Sequence, residues 1–164
     1  LGRFGVKLAA RPTAPPTLTA LPRFLRLGDW TGQGLPFYAG SVIYQTRIKP
    51  ALPDGERLVL AVREFRGVAV RVAVAGRSAG IAAWPPYELD LTELISGTAP
   101  LLLQIEVLGH RRNSHGPLHL AEKWPAWTGP AEFVAQGERW YDGYQLVPCG
   151  LLAPPVMIRR RPAG

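Results

Sequence analysis

The sequence has one cysteine and one methionine in 164 residues, and it has little lysine, three against sixteen arginines. A single thiol, Cys149, cannot close an intramolecular disulfide, and it leaves a cysteine-based zinc site without partners. Set between Pro148 and Gly150, it is expected to be a buried small apolar side chain rather than a nucleophile. Cysteine usage therefore leaves the compartment open. No stretch approaches the roughly 20 apolar residues that a membrane-spanning helix needs. The first ten residues carry Arg3 and Lys7 with no long apolar core after them, so no signal peptide is expected. A chain that opens on Leu1 is expected to be a piece of a longer polypeptide. The sequence also lacks a Gly-x-Ser-x-Gly elbow, a phosphate-binding loop and a dinucleotide fingerprint.

What is present favours strands and turns. The 17 prolines and 18 glycines are too many for a helical protein. A hydrophobic content of 47% and a mean hydropathy of +0.03 point to a folded chain. A domain of this size buries roughly 70% of its unfolded surface. The net charge of +7 raises the question of a polyanion partner. The arginines are scattered, however: Arg47, Arg57, Arg63, Arg71 and Arg77 fall in or beside separate strands. Only Arg111-Arg112 and Arg159-Arg160-Arg161 form runs. Neither nucleic acid nor a membrane is an expected partner, and a basic polyanion-binding module is the least favoured alternative.

The segment from Arg57 to Val107 carries the most information. Apolar residues alternate at Leu58, Leu60 and Val62, then at Val68, Val70, Val72 and Val74, then at Leu101, Leu103, Ile105 and Val107. A period of two predicts three strands, each with one buried and one less buried face. Gly76 to Gly80 is expected to turn the chain. Asp90 and Glu93 are spaced as a capping box for a short helical turn that Gly97 closes. Before this block, Phe37 to Ile48 reads as a strand with Val42, Tyr44, Thr46 and Ile48 on one side. After it, Gly109 to His119 is too polar and too rich in breakers for a strand or helix. Gln145 to Val147 and Pro155 to Arg160 read as closing strands. Ala10 to Pro22 is Pro/Thr/Ala-rich, giving an extended arm or linker over 1–23 and one domain over 24–164. Phe24, Leu25, Leu27 and Trp30 are expected to anchor the end of that arm. Many short strands with non-sequential pairing imply an all-β, two-sheet antiparallel sandwich of the jelly-roll kind with one short helical turn.

The order of these pieces resembles the sugar-binding β-sandwich domain of family 2 glycoside hydrolases and their relatives. The residues that carry the resemblance are the Val68 to Val74 strand, the turn, Trp84-Pro85-Pro86-Tyr87, Asp90-Leu91-Thr92, Gly97 and the Leu101 to Val107 strand. Outside the block, Gly34 to Gly40, Asn113 to His119 and Tyr144 to Leu152 extend it over most of the chain. The family usually carries Asn just before the turn glycine, where this chain has Ala75. The resemblance implies a galactose-binding-domain-like jelly roll. It also implies a non-catalytic accessory role: binding carbohydrate, bracing a catalytic domain of the same polypeptide, or both.

Candidate contacts follow from chemistry. Sugar hydroxyls need paired donors and acceptors, which Asn113, His115 and His119 can present. Asn113 and His119 can equally bond loop backbone and fix the turn. Sugar C–H patches pack on aromatic faces. Trp124 and Trp127 in a Pro/Gly-rich loop, with Tyr38, are the candidate platforms. Trp84 is expected to be a structural plug. Glu64 can serve a loop site or an ordinary ion pair. No pair of carboxylates stands out for glycoside hydrolysis, no metal site is expected because Gly116-Pro117 separates His115 from His119, and no cofactor is expected. The alternative is a stand-alone hydrolase in which Asn113, His115 and Glu64 converge.

Overall fold

The computed structural model describes residues 3–11, 13–97 and 99–161. These residues form two compact units. The first takes the chain up to Gly40 together with His110–Cys149, and the second takes Ser41–Gly109 together with the chain from Gly150 onward.

In the first unit, β1 (Gly5–Lys7) pairs antiparallel with β2 (Thr17–Thr19) as a short hairpin. The Val6 N–H donates to the Gly34 carbonyl at 2.8 Å. A 3-10 turn at Trp30–Gln33 follows, capped by Asp29, whose carboxylate accepts from the Thr31 N–H at 2.9 Å. Gly34 ends the turn in the left-handed region (φ 90°). Trp30 is fully buried, whereas Phe24, expected beside it as an anchor, is 90% exposed. The Gly109 to His119 segment holds one helical turn, α1 (Arg112–His115). The breakers Gly116 and Pro117 end this turn rather than prevent it, which corrects the expectation of no helix.

The second unit holds the remaining sheets, all antiparallel. β3 (Ser41–Ile48), β4 (Arg57–Ala61), β5 (Phe65–Arg66), β6 (Ala69–Val74), β7 (Arg77–Ala82), β8 (Glu88–Asp90), β9 (Leu101–Leu108), β10 (Gly150–Leu151) and β11 (Val156–Arg160) follow in chain order. One sheet runs β3-β9-β6-β7, a second β11-β4-β8, and β10 pairs with β5. In the four-stranded sheet the alternation holds: Val70, Val72 and Val74 face the core with Leu103, Ile105 and Val107. On the other side of β9, Glu106 accepts from Ser41 Oγ and pairs with Arg71.

Four expectations are corrected here. Leu58 through Val62 are all buried, so β4 is apolar on both sides instead of alternating. As the middle strand of its sheet, it has partners along both edges. Val68 lies outside β6 and is 65% exposed. The turn is tighter than Gly76 to Gly80. Ala75 (φ 48°) and Gly76 (φ 79°) make a two-residue hairpin turn, and Arg77 already begins β7. β7 escapes the periodicity because Ala79 is an extra residue: Val72 faces Gly80 while Ala73 faces Ser78. Lastly, Gln145 to Val147 is not a strand. The Val147 backbone is taken instead by the Asn113 side chain.

The predicted capping box also changes form. Asp90 closes β8, and its Oδ1 accepts from the Thr92 N–H (2.9 Å) and the Thr92 hydroxyl (2.5 Å). The 3-10 turn Thr92–Leu94 starts from Leu91, with no side-chain cap from that residue. Thr92 Oγ1 in turn accepts from the Leu58 N–H at 2.9 Å, which ties the turn to β4.

Candidate functional site

Of the candidate contact residues, all but Glu64 fall in the first unit. Glu64 lies in the second unit, where its side chain is exposed and its backbone carbonyl accepts from the Leu152 N–H at 2.8 Å.

Asn113 is buried, and both ends of its amide are engaged. Nδ2 donates to the Val147 carbonyl at 2.7 Å, and Oδ1 accepts from the Val147 N–H at 2.9 Å. A side-chain amide thus makes the two bonds that a neighbouring strand would make. The arrangement serves the backbone rather than a solvent-facing ligand. His119 is placed similarly. Its Nδ1 lies 3.1 Å from the Tyr141 carbonyl, and its ring stacks on Trp140 with centroids 4.5 Å apart. Tyr144 lies 5.0 Å from the His119 ring and meets Phe37 edge-on at 5.0 Å. His115 is exposed, with Nδ1 2.7 Å from Ser114 Oγ. Tyr38 packs edge-on against buried Trp30 at 6.0 Å.

The tryptophans divide sharply. Trp124 and Trp127 are 66% and 77% exposed, as their Pro/Gly-rich surroundings suggest. Trp84 is 81% exposed, so the expected plug is not there. Tyr87, in the left-handed region at φ 55°, meets the buried Phe65 ring edge-on at 5.1 Å in its stead.

The loop bearing Trp127 is ordered by its own bonds. Pro130 opens a 3-10 turn at Pro130–Glu132, and Glu132 Oε2 accepts from the Gly129 N–H at 2.7 Å. Arg139 approaches Glu132 at 3.8 Å and donates to the Ala131 carbonyl at 3.4 Å. Sequence reasoning missed Gly129, Glu132 and Arg139. The Gly-Pro-x-Glu spacing is a legible capping signal and would have found the first two.

Asp29 was missed as well. Its Oδ1 accepts from both the Thr31 and Cys149 N–H groups, while the Trp30 N–H donates to the Cys149 carbonyl at 2.9 Å. The Cys149 side chain is buried. In the same unit, the Arg112 Nη1 and Nη2 atoms and His110 Nδ1 are buried with no hydrogen-bond partner among the described residues. Burial pulls the Arg112 guanidinium below the usual arginine range.

Two clefts are lined by none of the candidate contact residues. One, of about 540 Å³ in the first unit, is lined by Lys7, Thr19, Thr31 and Gln33 among others. The other, of about 480 Å³ in the second unit, is lined by Arg57, Ser78, Asp90, Thr92 and Glu93. Its chief charges are already matched, because Arg57 pairs with Asp90. Bonds from the Thr92 hydroxyl and N–H, with Arg57 beside them, hold the Asp90 carboxyl down to about 2. Among the described residues no three His, Cys, Asp or Glu side chains are grouped to hold a metal ion. No described helix is long and apolar enough to cross a membrane.

Parts of several solved structures are similar in fold to this chain. Over 96% of its length the chain superposes on a part of the rhamnosidase from Novosphingobium sp. PP1Y, with 22% identity and a TM-score of 0.56. The chain folds like one part of a glycosidase. That part is 14% of the rhamnosidase. A Faecalibacterium prausnitzii β-glucuronidase matches 98% of the chain over 30% of its own length, with 20% identity and a TM-score of 0.51. The Bifidobacterium dentium β-glucuronidase, solved with coumarin-3-O-glucuronide, matches 98% over 29%, with 19% identity and a TM-score of 0.50. The chain thus spans less than a third of each protein, and at these identities the likeness is one of fold. No protein-family profile and no curated protein matches the sequence.

Proposed function

We propose that the chain is a non-catalytic accessory domain of a glycoside hydrolase and that it contacts carbohydrate through the tryptophan-bearing loop of its first unit. The β3-β9-β6-β7 and β11-β4-β8 sheets are the two layers of a galactose-binding-domain-like jelly-roll sandwich, with 1–23 as an arm and 24–164 as the domain. The observation that carries the reading is the pair of exposed indoles, Trp124 and Trp127, on a loop whose turn is fixed by its own bonds. Two exposed indoles on one loop offer flat faces on which the C–H patches of a sugar ring can pack. His115 and Tyr38 belong to the same unit, in which Asn113 and His119 hold the backbone at Val147 and Tyr141. Glu64 is the one candidate contact in the second unit, where its side chain is exposed. The match to a small part of several glycosidases supports a role alongside a separate catalytic domain.

The stand-alone hydrolase is less well supported, because the Asn113 amide is committed to Val147 and His115 is bonded to a serine, with no carboxylate orienting it. Bracing of a neighbouring domain has one observation in its favour: Leu18 and Phe24 are exposed apolar side chains in the first unit. Affinity electrophoresis through gels containing xylan, galactomannan or polygalacturonate separates the two. Retardation in at least one gel, lost in Trp127→Ala, is the expected result. Free migration in every gel rejects carbohydrate contact and leaves bracing.

A further inference from the structure

Trp127 and Trp124 are both exposed, but only one of them has a built floor. Gly129 lies in extended backbone (φ −131°, ψ −169°), a conformation open to any residue, so its glycine is not required by the main chain. A Cβ at this position would fall 2.7 Å from Trp127 Nε1 and 3.4 Å from its Cδ1. The missing side chain is therefore the space in which the pyrrole edge of the indole lies. That floor is itself fixed. The Gly129 N–H is held by Glu132 Oε2, Pro130 sets the next backbone angle, and Arg139 braces Glu132. Neither the Trp124 nor the Trp127 ring makes a hydrogen bond or an aromatic contact among the described residues, so what sets Trp127 apart is that it lies where the Cβ of residue 129 would be.

We infer that Gly129 is a positioning residue that presents Trp127 as a preorganised stacking face, and that Trp127 rather than Trp124 carries the carbohydrate contact. This rests on the carbohydrate reading above for its ligand, but not for its geometry. A ring already held in place loses less freedom when a sugar packs on it, so the same contact area gives tighter binding. Gly129→Ala is the discriminating substitution, because the backbone accepts alanine and only the indole must move.

The experiment uses the chain labelled with 5-fluorotryptophan, with the Trp127 fluorine resonance assigned from Trp127→Phe. Gly129→Ala is expected to shift that resonance and leave those of the other tryptophans in place, which also reports an intact fold. For the polysaccharide that retards the wild type, Gly129→Ala and Trp127→Ala are each expected to weaken binding about tenfold or more. The two changes together should weaken it no further than Trp127→Ala alone. Trp124→Ala should have the smaller effect. An unmoved Trp127 resonance in Gly129→Ala overturns the positioning role. A larger loss from Trp124→Ala than from Trp127→Ala overturns the choice of ring. If the wild type migrates freely in every gel, the carbohydrate contact is rejected, while the fluorine shift still decides whether Gly129 sets the indole.

Discussion

Val72 and Val147 are both buried, yet they reach burial by different means. Val72 sits in a ladder, between β9 and β7, in which backbone pairs repeat along each strand. Val147 has no strand beside it among the described residues, and a single asparagine satisfies both its N–H and its carbonyl. The contrast extends to the two units. The second is held by repeated strand pairing, so the loss of any one contact is shared. The first is held largely by individual side-chain-to-backbone bonds from Asp29, Gln33, Asn113, His119 and Glu132. Removing the Asn113 amide leaves two buried backbone groups without a partner.

This difference has measurable consequences. Leu60→Ala, in the buried middle strand of the second unit, should lower stability by about 2–5 kcal/mol through lost burial and a cavity. Urea denaturation reads it, and a loss below about 1 kcal/mol would mean the core collapses around the gap. Asn113→Leu keeps the volume but orphans two backbone groups, at about 1–3 kcal/mol each. Its destabilisation should approach that of Leu60→Ala although no hydrophobic contact is removed, and a near-neutral variant would mean that Val147 finds other partners. Ala75→Asn should raise stability by about 0.5–1 kcal/mol, because asparagine tolerates the left-handed backbone better than alanine. An unchanged denaturation midpoint would show that the turn carries no strain.

The smallest effect is electrostatic. The Asp90 carboxyl titrates at about 2 in the folded chain against an ordinary value of 3.8. Its contribution is therefore fully present above the ordinary value and is lost as pH falls toward about 2. More than a third of the side chain is exposed, so solvent screening keeps the contribution small. Urea midpoints measured between pH 2 and 5 should fall less steeply for Asp90→Asn than for the wild type. Parallel profiles would assign the acid sensitivity to other carboxylates.

The same contrast explains what could be read in advance. β6 and β9 were legible because alternating valine and leucine is the direct imprint of a half-buried sheet. β7 was not, because its Arg-Ser-Ala-Gly sequence and its bulge erase the period of two. Burial of β4 on both sides is written in the unbroken apolar run Leu58 to Val62, which a reading of its alternate residues alone passes over. In the first unit the decisive residues look ordinary in sequence. Nothing in the string separates Asn113, which is buried, from a surface asparagine, and its partner lies 34 positions away. The candidate site inherited that opacity. The exposed tryptophans were anticipated from the prolines and glycines around them, whereas the floor beneath Trp127 depends on the side chain that Gly129 lacks.

The pairing of β11 with β4 also sets an order of events during synthesis. Val59 and Leu60 find Ile158 and Met157 across from them only at the far end of the described chain. Until those residues leave the ribosome, one edge of β4, buried from Leu58 to Ala61, stays open. Closing it is a long-range event, slower than forming the β6–β7 hairpin. A nascent chain halted before Val156 would offer β4 to any other strand within reach.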